Sequence, residues 1–213
     1  MNIPIPSAAR ALCAVALSVA VCAPAAADTV VLTATSAAWR VTTGAPSAGW
    51  NTSASFDDSL WQSATELYEV SSYLGAGYAA AKGIWSQGGQ FSTTDTMLWG
   101  RTVFDLAVVP PSAMLEYGID DDGDIFVNGT LVVSDHNGIA NGGTADIGAY
   151  LVAGANVIAF SATDNFLSWG YNHAAWVQVE GTVAAVPEPS TWAMFALGLG
   201  VVGLARLRRR ERV

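Results

Sequence analysis

Short stretches of alternating hydrophobic and polar residues run through the middle of the chain. In the clearest one, Leu115, Tyr117 and Ile119 alternate with polar or small residues. A period of two is the pattern of a half-buried β-strand. Similar turn-bounded stretches predict eight strands: Val30–Thr35, Trp39–Thr43, Met97–Phe104, Ala113–Ile119, Ile125–Val127, Thr130–Ser134, Asn156–Thr163 and Ala175–Val183. Short strands separated by turn signals predict an all-β sandwich.

The segments between these strands carry their own signals. Asp120–Gly123 is acidic and ends in glycine, so it predicts a turn. Asn128-Gly129 is typical of a two-residue type I′ hairpin. Asp57–Ala64 predicts a single helical turn. Tyr68–Thr96 is rich in Gly, Ala and Ser and predicts a long loop.

The first 27 residues have the pattern of a secretory signal peptide. Arg10 supplies the positive charge, 11–21 is an apolar run, and Ala25–Ala27 is a small-residue cleavage site. Both cysteines, Cys13 and Cys22, lie in this segment. The exported domain, residues 28–185, therefore has no disulfide, no thiolate metal site and no cysteine nucleophile.

The last segment, residues 186–213, combines three features in a fixed order. Pro187, Glu188 and Pro189 precede an apolar run over 192–205. A basic cluster follows: Arg206, Arg208, Arg209, Arg210 and Arg212. The run is shorter than the roughly 20 residues of an ordinary membrane span. If flanking residues are drawn in, a transmembrane helix over about 191–207 is predicted, with the arginines on the inner side.

The net charge of the domain limits the kinds of partner that it can bind. Residues 28–186 hold 16 of the 18 acidic residues but only Arg40, Lys82 and Arg101 of the basic ones, which gives a net charge of −13. Without a basic patch there is nothing to neutralise phosphates, so nucleic acid is excluded as a partner.

Acidic residues at two corners are candidate ligands for a structural Ca²⁺. Ca²⁺ takes carboxylate and carbonyl oxygens. The candidates are Asp57, Asp58, Asp120, Asp122 and Asp124. The second corner does not have EF-hand spacing, because its glycine falls at the fourth position. The alternative is a solvated turn in which one or two carboxylates cap backbone amides.

Two loops carry residue types that bind sugars. Aromatic faces stack on C–H surfaces, while Asn and His side chains bond hydroxyls. The candidates are Trp169, Tyr171, Asn172 and His173 in one loop and His136 and Asn137 in the other. The alternative is that the aromatic residues plug the end of the sandwich. Catalysis has little support, since no serine lies in a nucleophile elbow and no carboxylate pair is identifiable.

The C-terminal segment closely resembles the PEP-CTERM sorting signal of Gram-negative bacteria. This resemblance implies recognition and processing near Pro187-Glu188-Pro189 by an exosortase, a transpeptidase-like membrane protease. It also implies an exopolysaccharide-producing, biofilm-forming source. The alternative is an ordinary tail anchor in which the motif occurs by chance.

Four stretches in order resemble galactose-binding-like jelly-roll domains. They are 50–64, which contains F-D-D-S-L-W, 98–106, the D-D-D-G-D-I-F-V-N-G-T-L-V stretch from Asp120 to Val132, and 151–162, which contains N-V-I-A. The resemblance implies a β-sandwich. It also implies that a structural Ca²⁺, where present, lies near the start of the domain, which favours Asp57 and Asp58.

Together these features predict a non-enzymatic, exported cell-surface protein. It would cross the inner membrane, be held there by its C-terminal helix, and reach the surface or extracellular matrix after exosortase processing. The domain would bind carbohydrate or matrix within extracellular polysaccharide. Two alternatives stay open: a structural surface or biofilm matrix protein without a defined ligand, and a glycan-active hydrolase.

Overall fold

A computed structural model describes residues 27–89, 96–139, 142–165, 173–183 and 198–200. The chain divides into two units, and the sandwich belongs to the unit Ala26–Ala185. The other unit consists of the two chain ends, of which only residues 198–200 are described, as helix.

Twelve strands form the sandwich. They are β1 (Asp28–Ala34), β2 (Arg40–Thr42), β3 (Gln62–Ser63), β4 (Thr65–Glu69), β5 (Lys82–Trp85), β6 (Met97–Leu106), β7 (Ala113–Ile119), β8 (Asp122–Val127), β9 (Thr130–Asp135), β10 (Gly143–Asp146), β11 (Gly154–Thr163) and β12 (Ala175–Val183). Within the described ranges, the connections include the short helix α1 (Ser71–Leu74) and the 3₁₀ turns Ala76–Tyr78 and Gly148–Tyr150.

The strands pair into two antiparallel sheets of six. Sheet 1 has the order β10-β7-β12-β5-β4, with β1 also paired to β12. Sheet 2 has the order β3-β2-β6-β11-β8-β9. The long central strands fix the register, for example Val157 opposite Val103 and Val177 opposite Tyr117.

The core lies between the two sheets. Sheet 1 contributes buried side chains such as Leu115, Ile119 and Val177, and sheet 2 contributes Ile125 and Phe160. These residues recur at every second position of their strands. The alternating sequence pattern therefore predicts which side chains face inward.

The predicted all-β sandwich is confirmed, and each of the eight predicted strands overlaps an observed one. Three local predictions were wrong. The segment 68–96 is not one loop, because it contains the end of β4, α1, a 3₁₀ turn and β5. The segment 57–64 forms a hydrogen-bonded turn, Trp61 N to Asp58 O at 2.9 Å, and leads into β3 without a helical turn. The acidic turn after β7 is shorter than predicted, since β8 begins at Asp122.

Arg101 is a central contact between sheet 2 and a covering loop over 50–61. Arg101 on β6 is buried, and its Nε donates to the Trp50 carbonyl at 2.8 Å. Its two terminal nitrogens donate to the Ser53 carbonyl at 2.9 Å and to the Asp58 carboxylate. The guanidinium also lies 5.4 Å from the centre of the Phe56 ring. The planar guanidinium spreads its donors in a rigid fork, so its three nitrogens reach three separate acceptors, a geometry that the compact ammonium of lysine does not reproduce.

Candidate functional site

Several acidic and amide side chains meet at one end of the sandwich, where β7, β9 and β11 end and β8 and β12 begin. This "acidic end" is defined by residues 120–122, 135–137, 164–165 and 173. Main-chain hydrogen bonds join its pieces: Asp121 N to Thr163 O at 2.8 Å, Gly138 N to Asp121 O at 3.0 Å, and Asp120 N to Ala174 O at 3.1 Å. These bonds join the corner after β7 to the end of β11, to the loop after β9 and to the residue before β12.

On the surface of the acidic end, one carboxylate joins two loops. Asp122 Oδ1 lies 3.1 Å from His136 Nδ1, and Asp122 Oδ2 accepts a hydrogen bond of 2.6 Å from Asn165 Nδ2. The side chain of His136 is 70% exposed and that of Asp122 is 38% exposed. The three residues therefore form an ordered polar surface that water, or a polar ligand, can reach.

Beneath this surface lies a buried pair. Asp164 Oδ2 and His173 Nδ1 are 2.5 Å apart, and both residues are 3% exposed. The His173 ring packs on Trp85, with ring centroids 5.1 Å apart. A buried charged hydrogen bond of this kind fixes the orientation of both side chains. It also ties the end of β11 to the start of β12.

Asp120 is a titrating group between the two layers. Burial raises the pKa of its carboxyl from an ordinary 3.8 to about 7. The charges of Asp164 and Asp121 act in the same direction, while His173 acts against them. Burial, together with the charge of Asp120, also raises the pKa of Tyr68. Asp120 therefore holds a proton up to near-neutral pH.

Asp135 and Asn137 form the third side of the acidic end. Asp135 Oδ1 accepts hydrogen bonds from Asn137 N at 3.2 Å and Asn137 Nδ2 at 3.0 Å. Asp135 is buried, and its Oδ2 has no hydrogen-bond partner among the described residues. Burial, and next the Asp135 charge, raise the pKa of Tyr117.

The basic residues of the domain are engaged elsewhere. Arg40 donates to carbonyls of the 58–61 segment, Lys82 pairs with Glu69, and Arg101 holds the covering loop. These three are all of the Lys and Arg residues between 28 and 185. No Lys or Arg is therefore left to pair with the carboxylates of the acidic end, and His136 and His173 are its only basic side chains.

The predicted ligand-binding residues have different fates. His136 and Asn137 lie at the acidic end, whereas Trp169, Tyr171 and Asn172 lie outside the described residues. His173 is also at this end, but its burial removes it from the surface. We therefore treat it as a residue that positions its neighbours.

The predicted calcium ligands are spread over two places. Asp57 accepts a hydrogen bond from Ser59 N at 3.0 Å, and hydrogen bonding by the Ser59 side chain, and next by its backbone, lowers the pKa of the Asp57 carboxyl. Asp58 pairs with Arg101, and Asp122 bridges His136 and Asn165. Asp124 is in β8 opposite Ser134, and Asp120 is half-buried. In the part of the chain that the structure describes, no three Asp, Glu, His or Cys side chains form a group that could hold a metal ion. Calcium binding stays a prediction.

Sequence reasoning missed Asp135, Asp164 and Asn165 as members of the acidic end. Each lies within two residues of the end of a predicted strand, as Asp120 and His136 do. Polar residues at strand ends are a usable signal, because antiparallel pairing brings several such ends to the same edge.

Comparison with known proteins identifies the C-terminal segment. Residues 185–210 match the PEP-CTERM protein-sorting motif, which confirms the predicted sorting signal. No curated protein matches the chain. The predicted transmembrane helix over 191–207 lies outside the described residues except for 198–200. Within the described ranges, no helix has the length and apolar character needed to cross a membrane.

Solved structures similar to the chain include large glycoside-acting proteins. A glycosyl hydrolase family 2 member from Bacteroides cellulosilyticus has a TM-score of 0.47 and 16% identity, over 71% of this chain and 20% of that one. An exo-chitosanase from Amycolatopsis orientalis has a TM-score of 0.45 and 19% identity, over 70% and 20%. A β-glucuronidase from Bacteroides uniformis has a TM-score of 0.48 and 15% identity, over 72% and 18%. The chain thus spans about a fifth of their length.

These findings bear on different parts of the chain. The two-sheet architecture is compatible with the galactose-binding-like resemblance of the sequence. The sorting motif indicates how the chain reaches its destination. The chain carries a PEP-CTERM protein-sorting motif, which marks it as an exosortase-sorted protein exported to the cell surface of a Gram-negative bacterium.

Proposed function

We propose that the sandwich is a non-catalytic module that binds carbohydrate of the extracellular polysaccharide through its acidic end. The observation that carries the proposal is the bridge formed by Asp122 between His136 and Asn165. It holds planar polar side chains from two loops in one exposed layer. Sugar hydroxyls are recognised by such fixed donors and acceptors on loops of a rigid scaffold.

The buried layer supports this role by fixing the surface layer. Asp164 of the buried pair directly precedes Asn165 in the chain, so its bond to His173 limits where the amide of Asn165 can be. Asn165 N also donates to Asp121 Oδ2 at 2.8 Å. Pre-organisation of this kind lowers the entropy lost on binding.

The surface role also fits the sorting of the chain. A protein sent to the cell surface is exposed to extracellular polysaccharide where the cell makes one. The acidic end has no Lys or Arg, which favours neutral or basic sugars over uronic acids because like charges repel. We therefore expect the ligand to be a neutral or amino-sugar glycan.

One observation favours a second candidate function, glycan hydrolysis. A carboxyl group with a pKa near 7 can act as a general acid, and Asp120 has such a pKa. In this case Asp164 or Asp121 would be the second carboxylate. The candidate is weaker, since Asp164 is buried and already paired with His173.

A glycan array probed with residues 28–185 tests the proposal. This fragment contains the complete two-sheet core, so it is expected to fold alone. Asp122→Asn keeps the side-chain volume but weakens the bridge, and we expect roughly tenfold weaker glycan binding, or about 1.4 kcal/mol. The melting temperature should be unchanged, because the bridge is exposed. Asp105→Asn, at an exposed position of β6, is the matched control and should bind as the wild type does.

The same array separates the alternatives. Release of sugar from a bound glycan, abolished by Asp120→Asn, would establish the hydrolase in place of the binding module. Binding to no glycan at any concentration would overturn the proposal and leave a structural matrix protein. Binding that persists at full strength in Asp122→Asn would place the ligand elsewhere on the domain.

A further inference from the structure

A second polar cluster lies on the outer face of sheet 1, near the middle of β7 and β12. It consists of Glu116, Gln178 and Glu180. In the register of the sheet, Gln178 lies directly opposite Glu116, and Glu180 lies opposite Met114. Residues 116, 178 and 180 share one face because side chains alternate along each strand. Glu116 and Glu180 are therefore diagonal neighbours on either side of Gln178.

A 3₁₀ turn closes over this cluster. Tyr78 Oη donates to Glu116 Oε1 at 3.3 Å, and the neighbouring Gly77 carbonyl accepts from Gln178 Nε2 at 2.9 Å. Both carboxylate-bearing residues are half-buried, and Gln178 is completely buried. The three side chains are thus partly removed from water.

The amide of Gln178 can be oriented from its partners. Nε2 donates to Glu180 Oε1 at 2.8 Å as well as to the Gly77 carbonyl. Both partners are acceptors, so the nitrogen must be on their side and the amide cannot be flipped. The oxygen Oε1 is then left buried, and no residue within the described ranges donates to it. A buried acceptor without a donor is costly.

The surroundings offer no positive charge for this cluster. The basic residues of the domain are engaged as described above, with Lys82 paired to Glu69. Burial, and next the charge of Glu180, raise the pKa of Glu116, although the hydrogen bond from Tyr78 acts against this. Two carboxylates thus neighbour a buried amide whose oxygen has no donor among the described residues, with no Lys or Arg engaged there.

We propose that Glu116, Gln178 and Glu180 form a site for a hard divalent cation of the Ca²⁺ class. Such cations take carboxylate oxygens together with amide carbonyl oxygens, and they complete their shell with water. A site with only two carboxylates is expected to be weak, on the order of 10⁻⁴–10⁻³ M, as in extracellular modules. It lies apart from the two corners that the sequence suggested for calcium, and it does not depend on the proposed glycan site.

Terbium luminescence tests this site directly. Tb³⁺ replaces Ca²⁺ and emits when a nearby aromatic ring absorbs light. Tyr78 contacts Glu116, and the Trp176 ring lies 5.5 Å from the Tyr78 ring, so two sensitisers are in place. Titration of the purified protein with TbCl₃ should give saturable emission that excess Ca²⁺ displaces. Glu116→Gln and Glu180→Gln should each weaken Tb³⁺ binding roughly tenfold or more, because each removes a charged ligand.

Controls keep the result specific. Asp122→Asn and Asp57→Asn change the other candidate calcium corners and should leave the emission curve unchanged. Circular dichroism of each variant checks that the sandwich is intact, and both glutamine variants retain acceptors for Tyr78 Oη and Gln178 Nε2. Emission that survives in both glutamine variants, or that disappears only in Asp122→Asn or Asp57→Asn, would overturn the proposal. So would the absence of saturable emission from the folded wild type. Glycan binding is measured at the other site, so its failure would leave this result standing.

Discussion

At the residue scale, the β8–β9 hairpin depends on two residues, which supply both the turn conformation and side-chain hydrogen bonds to β11. Asn128 and Gly129 have φ angles of 49° and 84°, the left-handed values that a type I′ turn requires. Asn128 also continues the sheet, since its Oδ1 accepts from Val157 N at 2.8 Å and its Nδ2 donates to Asn156 Oδ1 at 2.9 Å. The Asn128 side chain therefore continues the hydrogen bonding to β11 at the point where the turn ends β8.

Replacing Gly129 tests how much the stability of the hairpin depends on the absence of a side chain at this position. A Cβ at Gly129 would lie 2.6 Å from Thr52 Oγ1, whereas at Gly154, with φ of 91°, it would meet nothing within 4 Å. Gly154→Val should lower the free energy of unfolding by about 1–3 kcal/mol through backbone strain. Gly129→Val should lower it by roughly 1 kcal/mol more, because Thr52 must also move. Urea denaturation of both variants measures the difference.

Thr52 provides the check on this interpretation. Thr52→Ala in the Gly129→Val background should recover the additional loss but leave the strain. Equal losses in the two valine variants would mean that Thr52 yields freely and that the hairpin is constrained by its φ angles alone.

At the scale of elements, the corner between β7 and β8 connects the two sheets and contains three consecutive aspartates. Asp120 lies in this corner, with Asp121 next to it in the chain and Asp164 at the end of β11. The carboxyl of Asp120 has a pKa near 3.8 when solvated and about 7 in the fold. Between these values the folded protein holds a proton that the unfolded chain has released.

This difference predicts the pH dependence of stability. Because the folded state binds more protons, this group makes the free energy of unfolding fall as the pH rises from about 4 to about 7. Its stabilising contribution is fully present below 3.8 and lost above the folded pKa. Asp120→Asn should remove this part of the slope, so that the variant gains stability relative to the wild type as pH rises. Urea denaturation at several pH values from 4 to 8 measures both curves.

Removing any carboxylate from so acidic a domain changes its net charge, so a charge control is needed. Asp105→Asn removes one charge at an exposed position of β6. Its stability curve should run parallel to that of the wild type. Parallel curves for Asp120→Asn as well would show that Asp120 does not carry the pH dependence.

Elements with a strong local pattern could be predicted from the sequence, and those formed by tertiary contacts could not. The long strands β6, β7, β11 and β12 carry many buried residues, with five in succession in β11 and in β12, and all four were predicted. β3 has two exposed residues, and β10 consists of small and polar residues of which none is buried, so neither shows a hydrophobic pattern in the sequence. In β5, Gly83 interrupts the hydrophobic pattern of the sequence. A side chain is excluded there because a Cβ would collide with the ring of Tyr68.

The acidic end illustrates the same limit. Sequence reasoning identified His136, Asn137 and the aspartates after β7 from their residue types. It did not identify Asp164 as the partner of His173 or Asn165 as the partner of Asp122, because the latter pair are 43 positions apart. Such pairs are set by which strands are neighbours in the sheet, and the sequence of one strand does not encode that.

At the scale of the whole molecule, charge is divided between the two parts of the chain. The exported domain has a net charge of −13, while the segment after it contains five arginines and two glutamates. The boundary between them is marked by Pro187, Glu188 and Pro189, inside the matched sorting motif. Basic residues beyond an apolar run stay on the inner side of a membrane. If the apolar run spans a membrane, as the sequence predicts, the acidic domain is left on the outer side.

The sorting motif predicts that the arginines are absent from the surface form. Removal of residues after the Pro-Glu-Pro motif by an exosortase takes away all five arginines, so the net charge becomes more negative. Intact-mass measurement of the protein from the surface of its native host should give a chain that ends near the motif, and isoelectric focusing should give a more acidic band than the membrane-bound precursor. Replacing Pro187 and Pro189 with alanine should leave the precursor unprocessed in the membrane fraction. A surface form that still ends at Val213 would contradict processing while leaving the sandwich and its acidic end unaffected.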